Sequence, residues 1–596
     1  MNVSEYIFSF LKGKGVNTAF VITGGQAMYL NDALYRTPEI KPIFTHHEQT
    51  AGMSADAYSR ITGKLGLAVV TAGPGAMNIV NGLVGGFMDS APMMVISGQS
   101  NYNSVKYMDE SGIRQYGVQG INTRIIVEKV AKYFVTVDDP SKIRDYMEKA
   151  YYTAFEGRPG PVWIEVPLDV QRMETPERLL QGYTPKQSGA SVAERKENCK
   201  AIIKDLLKAK RSLIVAGQGV RLAGVQSEFM RLVERLHVPV ITTRLGIDLI
   251  NSDHELYVGR PGNYGERSAN IAAQNADYML VLGSRLSTPS VGHDLKQFGK
   301  NAKIVYVEID ERELDKPGPN IAVKIWDDVG KFIPQLLAEA VKCDMPVRSD
   351  WIAKCRNWKH KYPVVLPEYK DENPSNSYWF MEKLSEACDN RAMVLIDTGS
   401  CFHVACQVWK IKQGQRFLTT GGLSSMGYWV AVLGACAANA YQNTIVVTGD
   451  GSLQMNIQEF ATIKHLSAPI KVFVLNNNGY LLIRHTQHTF MEDRFFGESE
   501  KTGVLIPDTL KIAEAYGIKG VRIESPDELE DKIAEVLTYD GPVVCEVMTP
   551  EWQLLIPRVS SDKLPDGTLV SRNFEDMFPF LPPEEMKANM ITEEDE

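Results

Sequence analysis

The chain contains no long hydrophobic run. Trp429 to Tyr441 is about the longest apolar stretch, and it is only mildly apolar. It falls short of the roughly 20 residues that span a bilayer, so no membrane segment is expected. A basic excess is also lacking. The 64 Lys and Arg residues are outnumbered by 73 Asp and Glu, leaving a net charge of −9 and arguing against a non-specific nucleic-acid binder. None of the eight cysteines forms a Cys-x-x-Cys pair, which fits reduced thiols in a cytoplasmic enzyme. The opening MNVSEYIFSFLKGKG lacks a basic leader region and carries Glu5, so no secretory signal is expected. No short-period repeat is present.

What is there is an ordinary globular composition, 44% hydrophobic and 23% charged, over 596 residues. That length is too great for one core, and three domains are the natural expectation. Short apolar runs alternate with helical stretches, the pattern of parallel α/β structure. The first block holds LAVVTA (67–72), PMMVISG (92–98) and PVWIEVPLD (161–169). A polar stretch near 178–198 reads as a linker. The second block holds SLIVAGQG (212–219), YMLVLGSR (278–285) and IVYVEID (304–310). A polar stretch near 343–375 leads to the third, with MVLIDTGS (393–400), TIVVTGDGS (444–452), IKVFVLNNNG (470–479) and PVVCEVM (542–548). The fold class is therefore α/β, with three doubly wound parallel-sheet domains. The acidic tail TEEDE reads as disordered.

Ligands of such sheets bind at the carboxyl ends of strands, in the loops that start the next helix. Several of these loops are glycine-rich, which alone says little more than a tight turn. AGQGVRLAG misses the dinucleotide pattern because Leu222 stands at its sixth position, and HHEQT misses the zinc pattern because Ala51 replaces the second His. The segment 449–480 says more. A strand TIVVT turns at GDGS, a helix is expected over QMNIQEFATIKHL (454–466) with Ile457, Phe460, Ala461 and Ile463 on its apolar face, and IKVFVL runs into NNNGY. Asp450 and Asn477 thus end two strands of one β-α-β unit. A carboxylate and an amide oxygen suit a hard divalent cation that also takes phosphate oxygens. The glycine turn lets backbone N–H groups face those phosphates.

GDG, 24 residues and then NN resembles the motif of thiamine diphosphate (ThDP)-dependent enzymes. The resemblance implies Mg²⁺ held on the cofactor diphosphate by Asp450, Asn477 and the Gly479 carbonyl, with Gly449, Gly451 and Ser452 around it. HHEQTAGMSADAYSR (46–60) resembles the segment bearing the family's essential acid, which falls on Glu48. In that family the acid bonds to the pyrimidine ring, so that the cofactor's own amino group can take the thiazolium proton. TTGGLSSMGYWVAVLGACAANA (419–440) resembles the pyrimidine-holding segment, with Met426 as the apolar wedge and Ser424 as the backbone acceptor. DTGSCFHV (397–404) resembles a diphosphate loop: Gly399, Ser400 and His403 match, while Cys401 and Phe402 replace the usual Gly and Gln.

Resemblance runs from Tyr6 to about Asn589 and is strongest to the acetolactate synthase large (catalytic) subunit group, through ITGGQAMYLNDAL (22–34, with Gly24 and Gly25), TAGPGAMNIVNGLVGGFMDSAPMMVISGQ (71–99, with Pro74 and Asn78) and the surroundings of Gln119. It implies a pyrimidine-binding domain over 1–177, a central transhydrogenase-like domain over 195–340, a diphosphate-binding domain over 365–555 and a C-terminal extension over 556–596. It also implies a site shared between two chains, hence a homodimer or tetramer. His46, His47 and Gln119 are expected to move protons or orient substrate. Two positions depart from the biosynthetic synthases: Thr486 stands where they carry an acceptor-selecting Trp, and Pro289 where they carry an orienting Arg. YLLIRHTQHTF and PRVSSDKLPDGTLVSRNFEDMFPFL resemble instead the synthase-like enzymes of surface-polysaccharide gene clusters. The implied activity is Mg²⁺- and ThDP-dependent decarboxylation of a 2-oxo acid, pyruvate foremost, with transfer of the acyl unit to a carbonyl acceptor. The alternatives are a C–C lyase or hydrolase of a cyclic 1,2-diketone and a simple 2-oxo acid decarboxylase. Residues 217–219, 259–270 and 283–292 partly match the loops that hold FAD in acetolactate synthases. Relatives without FAD keep similar glycines, so FAD stays open.

Overall fold

The computed structural model describes residues 1–176, 182–185, 190–563, 565–566 and 568–592. Part of the linker expected near 178–198, and all of the acidic tail except Thr592, lie outside the described residues. Three six-stranded sheets are present, every ladder in them parallel.

The first sheet contains β1 (Thr18–Val21), β2 (Lys41–Phe44), β3 (Gly66–Val70), β4 (Met93–Gln99), β5 (Tyr133–Thr136) and β6 (Val162–Pro167), in the order 2-1-3-4-6-5. The second contains β7 (Ser212–Ala216), β8 (Val240–Thr242), β9 (Tyr257–Gly259), β10 (Tyr278–Leu282), β11 (Lys303–Glu308) and β12 (Ile321–Trp326), in the order 12-11-10-7-8-9. The third contains β13 (Met393–Ile396), β14 (Arg416–Thr419), β15 (Thr444–Gly449), β16 (Ile470–Asn476), β17 (Lys519–Ile523) and β18 (Val543–Met548), in the order 14-13-15-16-18-17. The central strands are buried on both faces, as the apolar runs require. Each sheet carries two apolar clusters, one under each helical layer.

One helix joins the first and third domains. His47 caps Glu48–Thr62 by accepting the Gln49 N–H at Nδ1, 3.1 Å away, and Gly63 ends it in the left-handed region at φ 68°. Its sequence is rich in Ala, Gly and Ser, so other backbones can approach it closely. A Cβ on Gly82 would stand 2.6 Å from the Gly52 carbonyl carbon, and one on Gly434 would stand 1.9 Å from the Ser54 carbonyl oxygen. Farther along, Arg60 lies buried between Asp56 (3.5 Å) and Asp89 (3.4 Å) and donates to the Thr419 carbonyl at 2.8 Å, while the Tyr428 hydroxyl donates to Asp56. Asp89 in turn accepts the N–H groups of Gly421 and Gly422.

The C-terminal extension completes the middle domain. The helix Arg267–Asn275 presents buried polar side chains, four of which take partners from the extension. Arg267 donates to the Met577 and Pro579 carbonyls, Asn270 to Phe574, Gln274 to the Glu575 carboxylate, and Asn275 to Asn589.

Candidate active site

Two groups of sequence-predicted residues converge, each at the carboxyl end of its own sheet. The first surrounds Glu48, which is buried in the opening turn of its helix. Asn78 Nδ2 donates to Glu48 Oε2 at 3.0 Å. The Pro74–Asn78 turn brings Gly75 so near that a Cβ there would lie 3.2 Å from Glu48 Oε1. A Cβ on Gly24 would clash with Thr71 at 2.5 Å, and one on Gly73 would meet the Gln119 carbonyl at 2.7 Å. Gln119 itself is exposed with φ 59°. Gly25 faces open space. His46 is exposed, and His47 spends Nδ1 on the helix cap.

The second group surrounds Asp450. Its Oδ1 accepts the Gly451 N–H at 2.6 Å, and its Oδ2 accepts the N–H groups of Asn477 at 3.2 Å and Gly479 at 3.0 Å. Burial nevertheless pushes the carboxyl up to about 6, because enclosure opposes the charge more than these bonds favour it. Asn477 Oδ1 is buried with no partner. Gly479 has φ 134°, and a Cβ there would lie 1.9 Å from the Glu498 carbonyl oxygen, so only glycine fits. Gly399, at φ 119°, and Gly449 both face open space where a chain of phosphates would need close backbone approach. Ser400 begins the helix that follows Gly399.

Several partners of these residues carry no sequence signal. Asp397, also pushed up to about 6 by burial, accepts from Thr448 Oγ1 at 2.7 Å and Ser452 Oγ at 2.6 Å. Ser452 Oγ accepts the Gly427 N–H at 2.7 Å, which ties the turn after Met426 to the GDGS loop. Ser424 is held at φ 54°, and Ser425 donates to Asn81 at 2.8 Å. Arg484 donates to Glu498 at 2.6 Å and to the Asn478 carbonyl at 3.1 Å, bracing the NNNG loop. His403 does not join the phosphate loop by any hydrogen bond. Its ring lies tilted against that of Tyr264, centroids 4.3 Å apart, its Nδ1 is buried without a partner, and burial pushes it down to about 3.

The single helix expected over 454–466 is corrected by the structure. Asp450–Leu453 and Glu459–His465 are separate helices, and Asn456 between them has φ 70°. The break is fixed by tertiary contacts: Trp429 Nε1 donates to the Met455 carbonyl at 2.9 Å, and a Cβ on Gly427 would meet Met455 at 2.8 Å.

Three family models match the chain: thiamine pyrophosphate enzyme N-terminal TPP binding domain over residues 1–123, central domain over 199–336 and C-terminal TPP binding domain over 397–547. The acetolactate synthase large subunit of Lactococcus lactis subsp. lactis (strain IL1403) is 31% identical over 96% of each chain. The chain belongs to the thiamine pyrophosphate enzyme family. It is a ThDP-dependent enzyme of the acetolactate synthase-like kind. The acetolactate synthase large subunit of Cyanidium caldarium is 30% identical over 92% of this chain and 94% of its own. Isozyme 2 of Escherichia coli (strain K12) is 28% identical over 95% of this chain and 99% of its own.

The residues fit the family's cofactor. Asn477 Oδ1 offers a free lone pair beside the Asp450 carboxylate, and the open glycines flank them. Among the described residues no group of three or more His, Cys, Asp and Glu could hold a metal ion. A cation resting on one carboxylate, one amide and one carbonyl, with phosphates completing its shell, needs no such group. No described helix is long and apolar enough to cross a membrane.

Proposed function

We propose that this enzyme is a Mg²⁺-dependent carboligase that decarboxylates a 2-oxo acid, pyruvate foremost, and transfers the acyl unit to a carbonyl acceptor. The observation that carries the reading is the buried, unpartnered Asn477 Oδ1 beside Asp450. Asp450, Asn477 and the Gly479 carbonyl would hold the cation on the cofactor diphosphate, and Gly449, Gly451, Ser452, Gly399 and Ser400 would line the phosphates. ThDP supplies, when bound, a carbon nucleophile that also accepts the electrons released with CO₂.

The chain's own residues supply the rest. Glu48, its carboxylate oriented by the Asn78 amide, would exchange a proton with the cofactor's pyrimidine ring. Gly75 leaves the space above its carboxylate that any side chain would fill. Met426 would give the cofactor's rings an apolar support, and Ser424 would offer its carbonyl. His46, His47 and Gln119 stand at the exposed rim, where substrate protons are handled.

Within one chain, among the described residues, no hydrogen bond or ion pair joins Glu48 to Asp450 or Asn477. Exposed Phe44 and Met28 beside the first group, and Met455, Phe490 and Phe496 beside the second, support a homodimer that brings Glu48 of one chain to Asp450 of another. The domain division at 1–177, 195–340, 365–555 and 556–596 belongs to the same reading. Eight unpaired cysteines support a reducing, cytoplasmic setting.

The test is CO₂ release from pyruvate by purified protein, with and without ThDP and Mg²⁺. Release that needs both supports the carboligase. ThDP binding without CO₂ release would transfer the assignment to the cleavage of diketones, which the exposed Thr486 leaves open.

A further inference from the structure

Residues 556–559 cross from the third domain to the middle one, and their backbone is fixed on both sides. The Ile556 N–H donates to the Tyr378 hydroxyl at 2.9 Å, and the Pro557 carbonyl accepts from Gln407 Nε2 at 2.8 Å. On the other side the Val559 N–H donates to the Asn263 carbonyl at 2.8 Å, and the Asn263 N–H donates to the Pro289 carbonyl at 3.0 Å. That loop is closely packed, since a Cβ on Gly262 would stand 2.4 Å from the Pro289 carbonyl oxygen.

The side chains around this fixed segment are left unpaired. Among the described residues, no hydrogen bond or ion pair engages the half-buried Arg558 guanidinium. Arg484, by contrast, is held by Glu498 at 2.6 Å. His485 is 7% exposed and Asn263 8%, yet His485 Nε2 and Asn263 Oδ1 have no partner. Asn263 spends its Nδ2 on His293 Nε2 at 3.2 Å. Burial, and after it the Arg558 charge, pushes His485 down to about 4, which places the guanidinium within electrostatic reach of the imidazole. His485 and His488 stand edge-on to the Trp552 indole, with centroids 4.7 and 4.9 Å away. Trp552 is 42% exposed, so an apolar face opens to solvent beside the cation.

This cluster borders the candidate active site. The helix Leu481–Met491 starts two residues after Gly479, and His485 lies four residues on, about 6 Å along the axis. Arg484 donates back to the carbonyls of Asn477 at 3.4 Å and Asn478 at 3.1 Å. Contacts therefore run from the Asn477 loop through Arg484 and His485 to Arg558, and on through Asn263 to Pro289. Thr486 and Pro289, both exposed and uncharged, flank this run. A guanidinium without a counter-ion suits an anion, and its planar fork matches a carboxylate or a phosphate through two parallel N–H bonds. Buried polar atoms without partners cost stability until a ligand or water meets them.

We propose that Arg558 is a specificity-determining residue for the acceptor, and that the acceptor carries, besides its carbonyl, a carboxylate or phosphate that pairs with Arg558 while His485 Nε2 and Asn263 Oδ1 meet its other polar groups. The proposal rests on the carboligase reading, because only a carboligase has an acceptor.

The experiment is calorimetric titration of the protein, at saturating ThDP and Mg²⁺, with reduced acceptor analogues in which a hydroxyl replaces the reactive carbonyl. Two matched pairs are used: 2-hydroxybutyrate against butane-1,2-diol, and glycerol 3-phosphate against glycerol. A charged member binds and its neutral counterpart does not, and the pair that shows this names carboxylate or phosphate. Arg558→Leu weakens that binding roughly tenfold or more, and Arg558→Lys, which keeps the charge but loses the planar fork, falls between. The melting temperature of Arg558→Leu does not fall, because the side chain has no partner in the protein to lose. In product formation from pyruvate, Arg558→Leu narrows the preference for 2-oxobutyrate over its methyl ester, or for dihydroxyacetone phosphate over dihydroxyacetone, through KM rather than kcat. The proposal is overturned if neither charged analogue binds, if Arg558→Leu binds as wild type does, or if charged and neutral acceptors react equally well. Release of CO₂ from pyruvate without any acceptor is measured beside these runs. Its absence overturns the carboligase reading alone, and the titration still decides whether Arg558 binds an anion.

Discussion

The backbone N–H of His46 donates to Glu459 Oε1 at 2.9 Å, a bond that spans 413 positions of sequence. It fastens the loop before Glu48 to the helix that follows the Asp450 loop. The two halves of the site are therefore braced within each chain, whichever chain completes them.

If Glu48 of one chain serves Asp450 of another, two inactive variants should rescue each other. Glu48→Gln and Asp450→Ala are each inactive alone. Mixed and reassociated, they should recover about one quarter of wild-type activity, since half of the dimers are mixed and each of those has one intact site. A mixture as inactive as its components would place both residues in a site built by one chain.

Glu48→Gln should lower turnover by roughly 10²–10⁴-fold, the usual loss for a positioned acid–base group. ThDP affinity should change little, because the diphosphate holds the cofactor. Cofactor titration beside steady-state rates separates the two effects.

Asp450→Ala should abolish Mg²⁺-dependent ThDP binding, and chelation of Mg²⁺ from the wild type should do the same reversibly. Retained stoichiometric ThDP in the variant would sink the metal assignment.

Arg60→Met should destabilise the protein by about 3–5 kcal/mol, because Asp56 and Asp89 would remain buried without their cation. Urea unfolding followed by tryptophan fluorescence reads the loss.

The contribution of His485 to stability should fall on acidification. Burial pushes His485 down from 6.5 to about 4, so the unfolded chain takes up its proton before the folded one does. The stability is complete above pH 6.5 and is lost as pH falls towards 4. At about 1.4 kcal/mol per unit, this one residue accounts for roughly 3 kcal/mol. His485→Gln should remove this downward component from the stability–pH curve over that window, and an unchanged curve would exonerate this residue.

The third domain's core was readable because β13, β15, β16 and β18 are buried on both faces and therefore written as continuous apolar runs. β2 and β12 were not readable. Lys41, Pro42 and Phe44 are exposed on β2, and β12 alternates, so neither forms an apolar run. Asp450 and Asn477 could be paired because one β-α-β unit sets their separation. The break at Asn456 could not be seen, since Trp429 imposes it from another part of the chain. Asp397 hid as one more strand-end residue, and Arg558 as one more arginine.

The helix Arg267–Asn275 has a temporal consequence. Arg267 finds its carbonyl partners, and Asn270, Gln274 and Asn275 each find a further partner, in residues 574–589, more than 300 positions later. During synthesis the first domain can close as soon as its own strands have emerged. The middle domain, although its strands are complete by Trp326, must wait for residues 574–589 before these particular bonds can form. Residues 574–589 thus act as a seal on the middle domain, and a nascent chain cut short before them would expose its fault there rather than at its broken end.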